Sequence, residues 1–462
     1  MPELPEVETV RNILLPLVKN KTIDHVDVFY DKLVLSNLEE FKTKLVNQVI
    51  LDINRYGKYL FFILSNNLIL ISHLRMEGKY RYNDNNLGRN KHTSAIFYFK
   101  DQTSLAYDDT RKFGIMYLTN KKEVNELPMI KKLGIEANKI DNQNKVSLYQ
   151  KFNKNKKIKE LLLDQSIICG IGNIYADEIL FASKIHPLTK GKDLSKTQLD
   201  EIFKNTPLII NKAIQAGGST IHSFHPSEGV DGRFQTQLLC YGNEGKECPN
   251  CKTKFHKIFI GGRGTTFCPN CQIDKTLEKA IGITGPIGSG KSTILNYLAT
   301  KNYFIINCDQ KIHELYRIPA IKNKISKILK TDFDIDNLTK KELARKIMAN
   351  DVTLKKEVEN YIYPILEESL INENKNHDLI AIEAPLLFKA HIEYLFKKII
   401  VVEISKEKQL NNLDSRNEAN KNLALKLNND YFYDLNSSKI YRLENNSTLK
   451  DLYKKIDKIL EK

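Results

Sequence analysis

The chain has 462 residues, 41% hydrophobic and 27% charged, which excludes a small disulfide-stapled scaffold and wholesale disorder and leaves room for roughly two to four folded units. Lys and Arg number 71 against 56 Asp and Glu, a formal charge of +15, and most of the surplus lies in residues 1–279, with 41 basic and 31 acidic residues. That balance suits a polyanionic partner, although a general Lys-rich bias contributes to it.

The elements follow in chain order. The opening MPELPEVETV carries acids where an export signal needs a basic start and an apolar core, so a cytoplasmic protein is expected. Between about residues 22 and 118, runs such as YLFFIL (59–64), LILISHL (68–74) and AIFYF (95–99), separated by Asn, Gly and Asp clusters, predict an all-β unit. The longest apolar stretch, 59–74, is broken by Ser65, Asn66, Asn67 and His73, so no membrane span is expected. From about 120 to 217 apolar residues recur at three- and four-residue spacing, which predicts helices. Residues 235–272 are hairpin-sized, 273–279 read as a linker, and the strand IGIT at 281–284 opens a βα alternation to the end. No internal repeat is present, and 410–440 is unusually rich in Asn.

Three groups of residues carry chemistry. Removal of the initiator Met leaves Pro2 as a secondary amine able to form a Schiff base, with Glu3 and Glu6 beside it as proton donor and positioning group. Taken alone, these residues read first as an ordinary chain start followed by a helix cap, and the wider context of the chain reverses that weighting. Cys248-x2-Cys251 and Cys268-x2-Cys271, sixteen residues apart, have the spacing of a four-thiolate zinc site, structural because no position stays open for water or substrate. His256 lies between the pairs and is expected not to be a ligand. Gly285-x4-Gly290-Lys291-Ser292, after a strand and before a helix, is a full phosphate-loop pattern. Backbone amides around Gly285, Gly288, Ser289 and Gly290 would cradle phosphate, with Lys291 neutralising charge and Ser292, next to Thr293, binding magnesium.

MPELPEVET resembles the opening of the formamidopyrimidine-DNA glycosylase family. RYGKYL (55–60), SHLRMEGKY (72–80), DTRKFG (109–114), LLLDQSIICGIGNIYADEILF (161–181), QAGGST (215–220) and GRGTTFCPNCQ (262–272) continue the likeness in the family's order. The resemblance implies a β-sandwich catalytic domain over 1–120, a helix-two-turn-helix DNA-binding domain over 121–234 and a zinc finger over 235–272. It implies excision of oxidised purines from double-stranded DNA, with lyase action through the Pro2 iminium. Glu3 would assist sugar-ring opening, Lys58 would hold the phosphate beside the lesion, and Arg263 would enter the minor groove from the zinc hairpin. Met76, Arg111 and Phe113 would fill the space left by the flipped nucleotide. His73, Asn173 and Tyr241 would contact phosphates. Glu6, Glu77, Ser219 and Thr220 would line the lesion pocket, whose covering loop, 217–229, departs from the family at His222, Phe224 and His225.

Beyond the phosphate loop, FIINCDQKIHELY (304–316) and IEAPLLF (382–388) resemble dephospho-coenzyme A kinase, which implies an α/β kinase domain with a parallel sheet over 280–462. ATP with magnesium would bind there, and Asp309, placed by the resemblance at the end of the second strand, would take the proton from the ribose 3′-hydroxyl of dephospho-coenzyme A. The lid departs from the family: Asn411 and Asn412 follow Gln409 and Leu410, Arg416 is followed by Asn417, and a His-Pro pair reads Tyr363-Pro364. Arg416 is left as the lid cation. The expected product is a monomeric glycosylase/lyase joined to a kinase; the alternative is a glycosylase joined to a nucleotide-binding unit without turnover.

Overall fold

The computed structural model describes residues 2–84, 89–219, 234–274, 279–329, 352–385, 387–388, 390, 392–414 and 439–461. They form two compact units, Met1–Gln272 and Ile273–Lys462.

In the first unit α1 (Leu4–Val18) precedes β1 (Ile23–Val28), α2 (Leu38–Leu45), β2 (Ile50–Tyr56), β3 (Tyr59–Leu64), β4 (Leu68–His73), β5 (Lys79–Asn83), β6 (Thr93–Phe99), β7 (Ser104–Asp108) and β8 (Ile115–Asn120). The strands make two antiparallel sheets, β1-β6-β7-β5 and β2-β3-β4-β8. Phe62 and Leu70 from one sheet meet Phe97, Leu105 and Tyr107 from the other in a shared core, the inward half of a period-two pattern. Phe61, Ile69 and Ile71 point the other way and pack with Ile130. Burial on both faces is why YLFFIL and LILISH read as continuous apolar runs.

The helical part comprises α3 (Pro128–Lys131), β9 (Ile135–Glu136), α4 (Lys145–Phe152), α5 (Ile158–Leu162), β10 (Ile168–Cys169), α6 (Asn173–Ala182) and α7 (Lys196–Gln215). Its core joins Phe152, Leu161, Ile168, Tyr175, Ile179, Ile202 and Ile210. Helix α1 serves both cores, with Val7, Val10 and Leu14 in the sandwich and Leu4 in the helical cluster. The unit closes with the hairpin β11 (His256–Ile260) and β12 (Arg263–Phe267), where Ile260 pairs with Arg263 across a two-residue Gly261–Gly262 turn.

The second unit contains β13 (Ala280–Thr284), α8 (Lys291–Thr300), β14 (Phe304–Asn307), α9 (Cys308–Tyr316), α10 (Pro319–Leu329), α11 (Val352–Asn376), β15 (Ile380–Glu383), β16 (Phe396–Glu403), α12 (Lys406–Asp414), β17 (Ile440–Glu444) and α13 (Leu449–Glu461). Its strands run parallel in the order β14-β15-β13-β16-β17. The chain leaves central β13 at its carboxyl end, beside strands on both sides, so the 285–290 loop sits where α/β sheets bind ligands. Among the described residues no helix is long and apolar enough to cross a membrane.

Candidate active site

Glu3 is the N-cap of α1 and Pro2 is buried beside it. The Glu3 carboxylate accepts N–H groups from Gly172, Ile174 at 2.9 Å and Tyr175 at 3.4 Å, the open amides at the start of α6. Burial pushes its pKa up to about 7 from 4.5, against the opposing pull of Lys58 and these amides. A carboxyl group poised near neutrality can hold or give a proton. Glu6 anchors the same corner: it accepts the Glu3 N–H at 2.8 Å, the Tyr175 hydroxyl at 2.6 Å, and the Ser219 N–H and hydroxyl at 2.9 and 3.0 Å. Thr220 lies outside the described residues.

Lys58, in the β2–β3 turn, is 5% exposed rather than solvated. Its Nζ donates to Ile171 O at 2.8 Å. Burial lowers its pKa, while Glu3 and Glu6 hold it up. The turn is fixed from the helical part: Gly57 N–H donates to Glu136 Oε1 at 2.9 Å, and Arg55, ion-paired with Glu136, donates to Gly57 O at 3.1 Å. The turn's placement therefore depends on a carboxylate 79 residues away in the chain.

The three candidate wedge residues sit on two loops. Met76 is half-buried and Arg111 exposed, and Phe113 is 52% exposed, with the Arg111 guanidinium 5.0 Å from the Phe113 ring centre. Asp109 builds their loop by accepting the N–H groups of Arg111, Phe113 and Gly114 at 3.0, 2.9 and 2.7 Å. Both loops close on Tyr107: a Cβ at Gly78 or Gly114 would fall 2.0 or 1.8 Å from its hydroxyl oxygen, so only glycine allows the approach. Glu77 is half-buried on the first loop.

His73 is buried, and burial, with Arg75 and Lys58 nearby, brings its pKa down to about 3. The Arg75 N–H donates to His73 Nδ1 at 2.9 Å, so a neutral ring carries its hydrogen on Nε2. Asn173 is the first residue of α6 and donates to Gly264 O at 2.8 Å, tying the helix start to the zinc hairpin. Tyr241 shares a hydrogen bond with Asn173, and its N–H donates to Glu178 at 2.8 Å. Arg263 is exposed at the hairpin tip, close enough to Lys58 to contribute to lowering that lysine's pKa.

The four cysteine sulfurs lie within 4.8 Å of one another, with Cys248–Cys271 at 3.8 Å and Cys251–Cys268 at 3.4 Å. Thiolates about 2.3 Å from a tetrahedral zinc stand about 3.8 Å apart, so the donors fit the metal. His256 is not part of the cluster. The finger is tied to the helical part by Asp177, which accepts the Thr266 N–H at 2.9 Å and pairs with Lys159, both side chains fully buried.

In the second unit Lys291 Nζ donates to Gly285 O and Pro286 O, each at 3.0 Å, and lies 4.0 Å from Glu383. Ser289 is fully buried with its hydroxyl unpartnered among the described residues, a polar group suited to a phosphate oxygen. Ser292 and Thr293 open α8. Asp309 corrects the sequence reading: it stands not at the strand end but in the first turn of α9, exposed, after the strand stops at Asn307. Asn307 takes the strand-end position as N-cap and donates to Glu383 at 2.8 Å. Arg416 lies outside the described residues.

Comparison with known proteins places this geometry. The family model for the formamidopyrimidine-DNA glycosylase N-terminal domain matches residues 1–116, that for its H2TH domain 133–225, and that for the zinc finger found in FPG and IleRS 245–273. The formamidopyrimidine-DNA glycosylase of Lactobacillus helveticus (strain DPC 4571) is 45% identical over 273 residues, covering 59% of this chain and 99% of that protein. The chain belongs to the formamidopyrimidine-DNA glycosylase family. The formamidopyrimidine-DNA glycosylase of Shouchella clausii (strain KSM-K16) is 44% identical over 276 residues, 59% of this chain and 99% of its own. A crystal structure of the Lactococcus lactis Fpg with N7-benzyl-Fapy-dG DNA matches with a TM-score of 0.56 and 39% identity, covering 59% of this chain and all of that one. Another of that protein, with DNA containing an abasic site, matches with a TM-score of 0.56 and 38% identity over the same shares. The formamidopyrimidine-DNA glycosylase likeness ends with the zinc finger, and residues 279–434 match the family model for dephospho-CoA kinase.

Sequence reasoning missed Glu136, Arg55, Asp109, Asp177 and Glu178, none of which touches substrate in any reading of the motifs. A signal existed for the last two: consecutive carboxylates inside the apolar helix NIYADEILF need buried partners.

Proposed function

We propose that the first unit is a bifunctional glycosylase and lyase that removes oxidised purines, 8-oxoguanine and formamidopyrimidines, from duplex DNA. The observation that carries this reading is the buried corner in which Pro2, a carboxyl with its pKa near 7 and Lys58 converge. The Pro2 nitrogen attacks C1′ as the base leaves with the glycosidic electron pair. Glu3 delivers a proton to the ring oxygen, opening the sugar to an iminium, and loss of a C2′ proton expels the 3′ phosphate. Lys58 holds the phosphate beside the lesion, Met76, Arg111 and Phe113 replace the flipped nucleotide, and His73, Asn173, Tyr241 and Arg263 grip the backbone and groove. The reading is supported by the Lactococcus lactis relative, whose structures hold Fapy-dG and abasic-site DNA. The zinc only braces the finger. The protein acts as a monomer in the cytoplasm.

The test is borohydride trapping of the intact chain on a duplex with 8-oxoguanine opposite cytosine. A covalent complex is expected with the native chain and is lost in Pro2→Gly; undiminished trapping in that variant would remove Pro2 as the nucleophile.

For the second unit we propose phosphorylation of the 3′-hydroxyl of dephospho-coenzyme A. Gly285, Gly288, Ser289, Gly290 and Lys291 would hold the ATP phosphates and Ser292 the magnesium, which together supply the phosphoryl group and neutralise its charge. Asp309 receives the acceptor proton, and Arg416 steadies the transferring group. Formation of coenzyme A, absent in Asp309→Asn, is the expected result. ATP binding without product favours the alternative, a nucleotide-binding unit without turnover.

A further inference from the structure

The phosphate loop is held from behind by three carboxamides. Gln409 Nε2 donates to Ile287 O at 2.7 Å, Asn412 Nδ2 to Gly288 O at 2.9 Å and Asn445 Nδ2 to Ser289 O at 2.8 Å. Three consecutive loop carbonyls are thus each engaged by a side chain from outside the loop, two from α12 and one from the residue after β17. Gln409 and Asn445 are 7% and 8% exposed, so these bonds are little contested by water. The approach is close: a Cβ at Gly290, whose φ is +96°, would fall 2.4 Å from Asn445 Nδ2.

In a trans peptide the carbonyl of one residue and the N–H of the next point in opposite directions, and among the described residues no peptide is cis. Fixing the carbonyls of Ile287 and Ser289 toward the carboxamides therefore turns the N–H groups of Gly288 and Gly290 to the other side. The N–H of Ser289 closes the intervening turn on Pro286 O at 3.2 Å.

We infer that Gln409 and Asn445 are positioning residues that pre-set the phosphate-binding N–H groups of Gly288 and Gly290, with Asn412 bracing the turn between them through the Gly288 carbonyl, and that Asn412, in a segment where the resembled family carries lid arginines, serves binding rather than phosphoryl transfer. The inference rests on reading residues 279–434 as a nucleotide-binding unit. A loop ordered before phosphate arrives binds more tightly because less conformational freedom is lost on binding. An asparagine bonded to a loop carbonyl also supplies no positive charge to a transition state.

The test is calorimetric titration of the intact chain with magnesium-ATP and magnesium-ADP, together with the unfolding midpoint without nucleotide. Asn412→Leu and Asn445→Leu should each weaken both nucleotides about fivefold, and Asn412→Gln, which keeps the donor, should recover most of the loss. A loss confined to general packing would lower the nucleotide-free midpoint in proportion and would not be recovered by glutamine; that pattern, or unchanged affinity, overturns the inference while leaving nucleotide binding intact. Failure of the native chain to bind either nucleotide overturns the nucleotide-binding reading and this inference with it.

Discussion

Replacing Glu3 with glutamine should flatten the pH dependence of the first unit's stability. The carboxyl titrates near 7 in the folded chain and near its ordinary 4.5 once unfolded. Above 4.5 the unfolded chain ionises freely while the folded one resists until about 7, so stability falls through that window and the whole cost is present above it. The two values imply a loss of about 2 kcal/mol between about pH 5.5 and about pH 8 from this group alone. Glutamine has no such titration. Any constant penalty from presenting an amide to the N–H groups of Gly172, Ile174 and Tyr175 cancels when the two pH values are compared. Urea unfolding of the intact chain at both pH values, with the first unit followed through release of its zinc, reads the difference. Native and Glu3→Gln chains losing stability in parallel would show that the group is already ionised in the fold, and the proton-donor role would fall with it.

Asp177→Leu should destabilise the first unit by about 3–5 kcal/mol, because Lys159 is left charged in a site with no exposed side-chain surface. Combining it with Lys159→Met should recover most of that loss, and calorimetry showing additive single effects would refute the pairing. The four cysteines should hold one zinc per chain, and Cys268→Ser should lower zinc content and weaken binding to lesion-bearing duplex, since a hairpin missing a ligand no longer positions Arg263. Full-affinity binding by the metal-depleted variant would contradict this.

Much of the site was legible because its chemistry is local in sequence. The zinc pairs and the 285–293 loop are short patterns whose residue types leave few other uses, whereas the N-terminal amine with its neighbouring acids gains its meaning only from the family motifs that follow it. Physical reasoning on sequence alone failed where function depends on a distant partner. Lys58 has the look of a surface lysine until its turn is seen docked against Glu136 and Ile171. The setting of Glu178 signals a buried partner without saying which: it accepts three successive N–H groups, from Leu239, Cys240 and Tyr241, a carboxylate doing what a strand neighbour would otherwise do. Asp309, which the resemblance sets at the end of the second strand, stands two residues past Asn307, in the first turn of α9. For Lys58 and Glu178 the deciding contact spans a separation that periodicity cannot register.

Helix α1 is shared between the sandwich core and the helical core, and the reactive corner forms along that join. Glu3 takes its N–H groups from α6, Lys58 donates to Ile171, and Leu4 N–H donates to Gly170 O at 3.0 Å. Chemistry built this way behaves as a logical conjunction. A separated sandwich would keep the amine, the acid and the lysine in one stretch of chain, yet the acid would lie open to water and the lysine would lack its carbonyl. Its carboxyl would return to ordinary acidity and its ammonium to ordinary hydration, so the corner exists as such only when both halves are folded and joined.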